Sequence, residues 1–317
     1  MTDPLVELSD LEKHFSTKEG TLKAVDGVSL QIRQGETLGL VGESGCGKST
    51  TGKLLVRLLA PTAGRILYRG RDITSLKTAQ EAREFSRTVQ MVFQDPYSSL
   101  DPRMSVGEII EEPLRVHRLF PGRRERQQRI RELMEYAGIA PRLINSYPHE
   151  LDGGRRQRVG IARALALNPE FLVLDEPVSA LDVSIQAQII NLFETLQREL
   201  SLTYLFIAHD LSVVHHVSTR IAVMYMGEIV EMGSADEVIR SPRHPYTEAL
   251  VSAIPRVKNR GNHKRIILQG DVPSPVDPPP ICRFYGRCPK GQDQCRRPVE
   301  LLENSSNRLV RCILEEQ

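Results

Sequence analysis

Nine consecutive residues could hold a chain of phosphates. They read Gly42-Glu43-Ser44-Gly45-Cys46-Gly47-Lys48-Ser49-Thr50 and match the pattern G-x-x-x-x-G-K-[ST]. Glycines let such a loop point its N–H groups inward, and the N-terminus of the following helix adds partial positive charge beside the phosphates. Lys48 is expected to bridge the β- and γ-phosphates of a nucleotide, and Ser49 is expected to bind Mg²⁺.

A second motif supplies two carboxylates at the end of an apolar stretch. Residues 171–174 read Phe-Leu-Val-Leu and are followed by Asp175 and Glu176. Asp175 is suited to holding Mg²⁺, and Glu176 is placed to polarise an attacking water as a general base. A strand that ends in two acidic residues could also be an ordinary solvated strand end. Together with the phosphate loop, the pair instead favours hydrolysis of a nucleotide.

The elements around these residues predict an α/β fold. It comprises a P-loop nucleotide-hydrolase core, an antiparallel β-subdomain, a helical subdomain and a small cysteine-rich C-terminal extension. The predicted strands are 5–8, 25–32, 36–41, 171–175, 203–208, 221–225 and 228–231, the last two forming a hairpin around Met226 and Gly227. The predicted helices are 50–59, 106–116, 123–137, 155–166 and 185–199.

With these parts in this order, residues 5–255 resemble the ATP-binding cassette family. Residues 151–157 read Leu-Asp-Gly-Gly-Arg-Arg-Gln and are similar to its signature motif, which usually reads Leu-Ser-Gly-Gly-Gln. The resemblance implies that Gln94 touches Mg²⁺ and the attacking water, that His209 contacts the γ-phosphate, and that Phe15 stacks on adenine. It assigns ATP contacts to the following residues of the phosphate loop and the signature: Gly42, Ser44, Gly45, Cys46, Gly47, Lys48, Ser49, Thr50, Asp152, Gly153 and Gly154. Residues 179–182 resemble the family's D-loop.

The signature also implies a dimer. Gly153 and Gly154 are expected to lead a helix beginning near Arg155, and a helix N-terminus is an anion site. In the family, each ATP lies between the P-loop of one chain and the signature of another. Asp152 departs from the usual serine, because an ionised carboxylate offers no hydrogen-bond donor to phosphate and repels it. Either this carboxylate turns away and the glycine N–H groups suffice, or the signature serves a weakened ATP site, which would be the one on the partner's P-loop. In a heterodimer we therefore predict that the ATP on this chain's P-loop is the better hydrolysed.

Composition excludes several other classes of protein. The chain has 317 residues, 40% hydrophobic and 26% charged, with a net charge of +2. This balance gives no electrostatic case for nucleic-acid binding. The arginine-rich stretch 123–131 is interpreted as a solvated helix face. The sequence contains no apolar run of about 18 residues and no signal peptide at its start, so we expect a protein at the cytoplasmic face of the membrane, attached through partner subunits.

Four cysteines lie in the last forty residues. They are Cys282, Cys288, Cys295 and Cys312, and they follow a proline-rich stretch, 271–280, that is expected to be an extended strap. Disulfides are disfavoured in the cytosol, so clustered cysteines suggest a metal. The short C-x₂-C spacing of structural zinc is missing. The residues alone leave three alternatives: an iron–sulfur cluster, zinc, or free thiols.

The tail also resembles the C-terminal region of oligopeptide and dipeptide importer ATPases. The segments that carry this resemblance are 94–100, 175–186, 243–247 and 282–289. It implies a cassette domain over 5–240, with a helical subdomain at about 95–165, and a C-terminal region over 241–317 that holds a 4Fe–4S cluster on the four cysteines. It further implies ATP and Mg²⁺ as ligands, a second ATPase subunit, two transmembrane permease subunits and an external substrate-binding protein. The rival interpretations are an importer of nickel or a metal chelate, a cassette ATPase acting on DNA or the ribosome, and a regulatory iron–sulfur protein.

Overall fold

The computed structural model describes residues 3–254, 265–271, 273–303 and 308–315. The strands in this part are β1 Pro4–Thr17, β2 Gly20–Arg33, β3 Thr37–Val41, β4 Ala63–Tyr68, β5 Arg71–Asp72, β6 Val89–Val92, β7 Phe171–Asp175, β8 Thr203–Ala208, β9 Arg220–Tyr225, β10 Glu228–Ser234, β11 Leu302–Glu303 and β12 Leu309–Val310. The α-helices are α1 Lys48–Leu55, α2 Ala79–Thr88, α3 Pro96–Ser99, α4 Val106–Val116, α5 Arg123–Tyr136, α6 Gly153–Leu165, α7 Val183–Leu200, α8 Leu211–Val217, α9 Ala235–Arg240 and α10 Pro245–Ser252.

Residue contacts divide the chain into two compact units. The first contains Met1–Arg33, Thr37–Thr74 and Phe206–Gln317, and the second contains Gln34–Glu36 and Ser75–Leu205. In the first unit, an antiparallel sheet has the strand order β2-β1-β4-β5. Its central strand buries alternate side chains, Val6 and Leu8, as the two-residue period of a strand requires. The predicted antiparallel sheet is therefore confirmed.

A second set of strands in the first unit carries the phosphate loop. Strand β3 pairs in parallel with β9, which forms an antiparallel hairpin with β10. Strands β12 and β11 continue this sheet beyond β10. Residues Met226 and Gly227 both have positive φ, as a two-residue hairpin turn demands. The predicted hairpin is confirmed, whereas the sequence did not reveal β11 or β12.

The second unit contains the parallel pair β6 and β7 and most of the helices. Helix α6 packs against α3, α4, α5, α7 and β6 within this unit. The predicted helices here are found within a few residues of their expected ends. In the arginine-rich stretch, Arg123, Arg124 and Arg131 are exposed as predicted, whereas Arg126 and Arg129 are half-buried and pair with Glu111 and Glu132.

The boundaries of helices α1 and α6 differ from the prediction for identifiable reasons. Helix α1 covers Lys48–Leu55 rather than 50–59, because the loop passes directly into the helix after Gly47 and Arg57 turns left-handed with φ 58°. Helix α6 begins at Gly153 rather than near Arg155, because Asp152 caps it. A side-chain cap satisfies the first free N–H groups and so fixes where a helix starts, even when poor helix formers follow.

The proline-rich stretch forms an extended strap, as predicted, along the edge strand β2. The Lys23 N–H donates to the Pro275 carbonyl at 3.0 Å, and the Asp277 N–H donates to the Thr21 carbonyl at 2.9 Å. Val276 forms an isolated antiparallel bridge with Leu22. Val272 lies outside the described residues. Among the described residues, no helix is both long and apolar enough to span a membrane.

Candidate functional site

The phosphate loop leaves β3 and enters α1 through glycines that cannot be replaced without strain. Gly42 has φ 154°, and a Cβ built there would lie 2.1 Å from the carbonyl oxygen of Met224. Gly47 has φ 108°, and its Cβ would lie 2.1 Å from the carbonyl oxygen of Ala24. Real atoms cannot approach so closely, so both positions require glycine for conformation and for space.

The side chain of Lys48 reaches back to the start of the phosphate loop. Its side chain is buried, and Nζ donates to the carbonyl oxygens of Gly42 at 2.8 Å and Glu43 at 2.9 Å. Cys46 holds the loop through its backbone, because its carbonyl accepts from the Gly227 N–H at 2.8 Å. Burial raises the pKa of the Cys46 thiol, although nearby Lys48 acts to lower it. Ser44 and Gly45 are exposed, which leaves their N–H groups accessible to an anion.

The acidic strand end lies in the second unit, together with the predicted glutamine. Asp175 ends β7 and is 4% exposed, whereas Glu176 is half-buried in a left-handed conformation with φ 45°. The Gln94 Nε2 donates to the Glu176 Oε2 at 2.8 Å. The structure thus joins two side chains that are 82 residues apart and that the sequence assigned to one attacking water. A carboxylate can accept a proton from water, and the amide restrains its orientation.

The signature segment has a clear local structure. The Asp152 Oδ1 accepts from the Arg155 N–H at 2.8 Å, and Oδ2 lies 3.3 Å from the Arg155 Nε. A Cβ on Gly153 would lie 3.2 Å from Leu181 Cδ2, and one on Gly154 would lie 2.6 Å from Ile185 Cγ2. The carboxylate is therefore occupied as a helix cap, and Gly154 in particular is needed for close packing against α7.

The remaining predicted ATP contacts lie in the first unit. His209 is exposed and directly follows β8, just before Asp210 caps α8. Phe15 is half-buried on β1, and Lys13 Nζ lies 4.9 Å from the centre of its ring. Ser49 and Thr50 occupy the first turn of α1 and are half-buried.

The four cysteines belong to the first unit. Cys282 and Cys295 pack with Val299 and Ile313 in a small apolar cluster, and the Cys282 N–H donates to the Cys295 carbonyl at 3.1 Å. Burial raises the pKa of Cys282 to about 11, and the charges of Cys295, Cys288 and Cys312 add to the increase. Cys282 is therefore within electrostatic reach of the other three thiols.

Sequence reasoning missed two residues that contact the phosphate loop. Tyr246 and Arg287 both bind Glu43, from positions more than 200 residues away along the chain. No local pattern could have revealed these contacts, because each joins single residues that are distant in sequence.

A glycine loop enclosing a lysine, together with an acidic strand end bound by a glutamine, defines the class of P-loop nucleotide hydrolases. The family model for ABC transporters matches residues 25–179, and that for the oligopeptide/dipeptide transporter C-terminal region matches residues 230–295. The chain belongs to the ABC transporter family and is an ATPase.

Relatives of known description match along the whole chain. The oligopeptide transport ATP-binding protein AppF of Bacillus subtilis is 49% identical, covering 98% of this chain and 98% of its own length. The oligopeptide transport ATP-binding protein OppF of Salmonella typhimurium is 50% identical, covering 98% of this chain and 96% of its own length. A dimeric ATP-binding cassette, solved in a post-hydrolysis state with ADP and phosphate, matches with TM-score 0.67 and 31% identity, covering 73% of this chain and 98% of its own.

Proposed function

We propose that this chain hydrolyses ATP to drive the import of oligopeptides or dipeptides. The observation that carries the proposal is about 50% identity, over nearly the full length, to oligopeptide transport ATP-binding proteins. The match of residues 230–295 to the oligopeptide/dipeptide transporter C-terminal region supports the same cargo. Residues 5–240 would form the cassette, with the helical subdomain at about 95–165, and 241–317 would form the C-terminal region.

In this proposal, the site residues divide the work of hydrolysis. Lys48 and the loop N–H groups would bind the β- and γ-phosphates, while Ser49, Gln94 and Asp175 would hold Mg²⁺. Glu176 accepts the proton of the attacking water, and its hydrogen bond from Gln94 supports that assignment. His209 would contact the γ-phosphate and Phe15 the adenine.

The ATPase would work as a head-to-tail dimer with a similar subunit, attached at the cytoplasmic face of the membrane to two permease subunits. An external binding protein would deliver the peptide. The dimeric state of the similar cassette supports this arrangement. Each ATP would then lie between one P-loop and the other chain's signature, so that ATP binding closes the dimer and hydrolysis reopens it.

We further propose that the four cysteines hold a 4Fe–4S cluster. Four clustered thiols suit such a cluster, which would supply electron transfer or structural cross-linking. Protein purified without oxygen should be brown and absorb near 400 nm, whereas stoichiometric zinc would contradict the assignment.

The cargo can be tested on the purified complex of both ATPases and both permeases. With the binding protein present, a mixture of peptides should increase ATP turnover several-fold, and nickel or a nickel chelate should not. Glu176→Gln in this chain should abolish most of that turnover. Stimulation by the metal but not by peptides would support the metal-importer alternative and contradict peptide import.

A further inference from the structure

Glu43, the second residue of the phosphate loop, uses all of its polar groups in contacts within the first unit. Its carbonyl oxygen accepts from Lys48 Nζ at 2.9 Å. Its N–H donates to the Tyr246 hydroxyl at 2.8 Å. Its carboxylate accepts from Arg287, with distances of 2.7 Å from Nη1 and 3.2 Å from Nη2. The Cys46 N–H also donates to the carbonyl oxygen, at 3.3 Å, so two of the four partners come from the region after residue 240.

These two partners are themselves firmly held. Tyr246 is fully buried, and its ring centre lies 4.7 Å from that of Tyr225 and 5.4 Å from that of Phe284. Arg287 has a side chain only 9% exposed and ends the short 3₁₀ turn Tyr285–Arg287. Phe284 is 1% exposed. Both Phe284 and Arg287 therefore link the cysteine-bearing segment to the loop.

The ion pair of Arg287 with Glu43 removes a source of charge repulsion at the loop. A phosphate chain is strongly anionic, and an unpaired carboxylate on the second loop residue would repel it. Arg287 neutralises that carboxylate in a two-pronged, charge-assisted contact that is mostly shielded from water. The Tyr246 hydroxyl fixes the backbone of the same residue, and a pre-ordered loop pays less conformational entropy when it binds a ligand.

We propose that Arg287 and Tyr246 are positioning residues that set the affinity for MgATP by holding Glu43. The cysteine-bearing segment, which contains Arg287, then affects nucleotide binding in addition to holding any metal. This inference rests on the proposed function only in that the loop must bind MgATP.

The test measures equilibrium binding of a fluorescent ATP analogue with Mg²⁺ to the purified full chain. Arg287→Gln should weaken binding about tenfold, because it leaves the Glu43 carboxylate unpaired beside the phosphates. Adding Glu43→Gln to that variant should restore binding to within about threefold of wild type. Tyr246→Phe, which keeps the ring packing, should weaken binding about threefold. Lys290→Gln is the matched control, since Lys290 lies in the same segment but pairs with the more distant Glu248 at 2.7 Å.

Rescue by the second substitution separates positioning from a general loss of structure, because a misfolded variant would not recover. Circular dichroism and melting temperature confirm that each variant is folded. Equal affinity in wild type and Arg287→Gln, or a double variant no better than Arg287→Gln, would overturn the proposal. Lys48→Ala distinguishes a failure of the positioning role from a failure of the nucleotide site itself. If wild type and Lys48→Ala bind the analogue equally weakly, the proposed nucleotide site itself is wrong.

Discussion

Replacing Asp152 tests whether the unusual signature residue is a helix cap. Loss of a capping carboxylate typically costs about 1 kcal/mol of stability. The side-chain pair with Arg155 adds little, because the two side chains are 60% and 50% exposed. Asp152→Ala should therefore destabilise the chain by about 1 kcal/mol and lower its melting temperature by about 2 °C. Asp152→Ser keeps a capping oxygen and should stay within about 0.5 kcal/mol of wild type.

Thermal and urea unfolding of the three proteins measure these differences directly. If Asp152→Ala is as stable as wild type, or Asp152→Ser is as unstable as Asp152→Ala, the carboxylate does not act as the cap.

The same variants test the predicted inequality of the two ATP sites. In the complex, with Glu176→Gln silencing this chain's own site, Asp152→Ser should increase turnover at the partner's P-loop. No increase would contradict the inequality.

Three further changes have defined outcomes. Gly42→Ala should weaken MgATP binding at least about 100-fold in an equilibrium assay, because the new Cβ would meet the Met224 carbonyl. Gly70 is also left-handed but has open space around it, so the control variant Gly70→Ala should bind MgATP normally. Equal binding by both variants would contradict the steric account. Glu176→Gln should reduce single-turnover hydrolysis at least about 100-fold while ATP still binds, and near-normal hydrolysis would remove Glu176 from the role of base. Burial lowers the pKa of His244 from 6.5 to about 3, so the unfolded chain gains a proton below about pH 6.5 that the folded chain does not. Through His244, the free energy of unfolding should therefore fall by up to about 1.4 kcal/mol per pH unit below about pH 6.5. His244→Asn offers a side-chain oxygen in place of Nδ1 as the acceptor of the Tyr246 N–H, and its stability should fall less steeply in urea unfolding down to about pH 4.5. An unchanged slope would contradict the buried-histidine account.

Local signals account for the parts of the molecule that the sequence predicted well. Strands β7 and β8 have their predicted ends, because continuous apolar runs flanked by polar residues specify buried strands. Helix α4 also has its predicted ends, set by the capping pair of Ser105 and Glu108. The contact of Gln94 with Glu176 brings together residues that the family order had already assigned to one step.

Other features had no strong local signal. The hairpin β4–β5 is short, and β5 is exposed, so no alternating pattern reveals it. Helix α6 starts two residues early because the Asp152 cap outweighs the poor helix propensity of two glycines. The contacts of Glu43 with Tyr246 and Arg287 depend on tertiary packing alone, which a single sequence does not display.

Transport in a reconstituted system tests the central claim most directly. Both ATPases and both permeases would be placed in liposomes containing MgATP, with labelled oligopeptide and the binding protein outside. We predict peptide accumulation in the lumen that depends on ATP and falls to background with Glu176→Gln in this chain. Accumulation that persists with that variant, or ATP turnover without any peptide uptake, would contradict the assignment of this chain as the ATPase of a peptide importer.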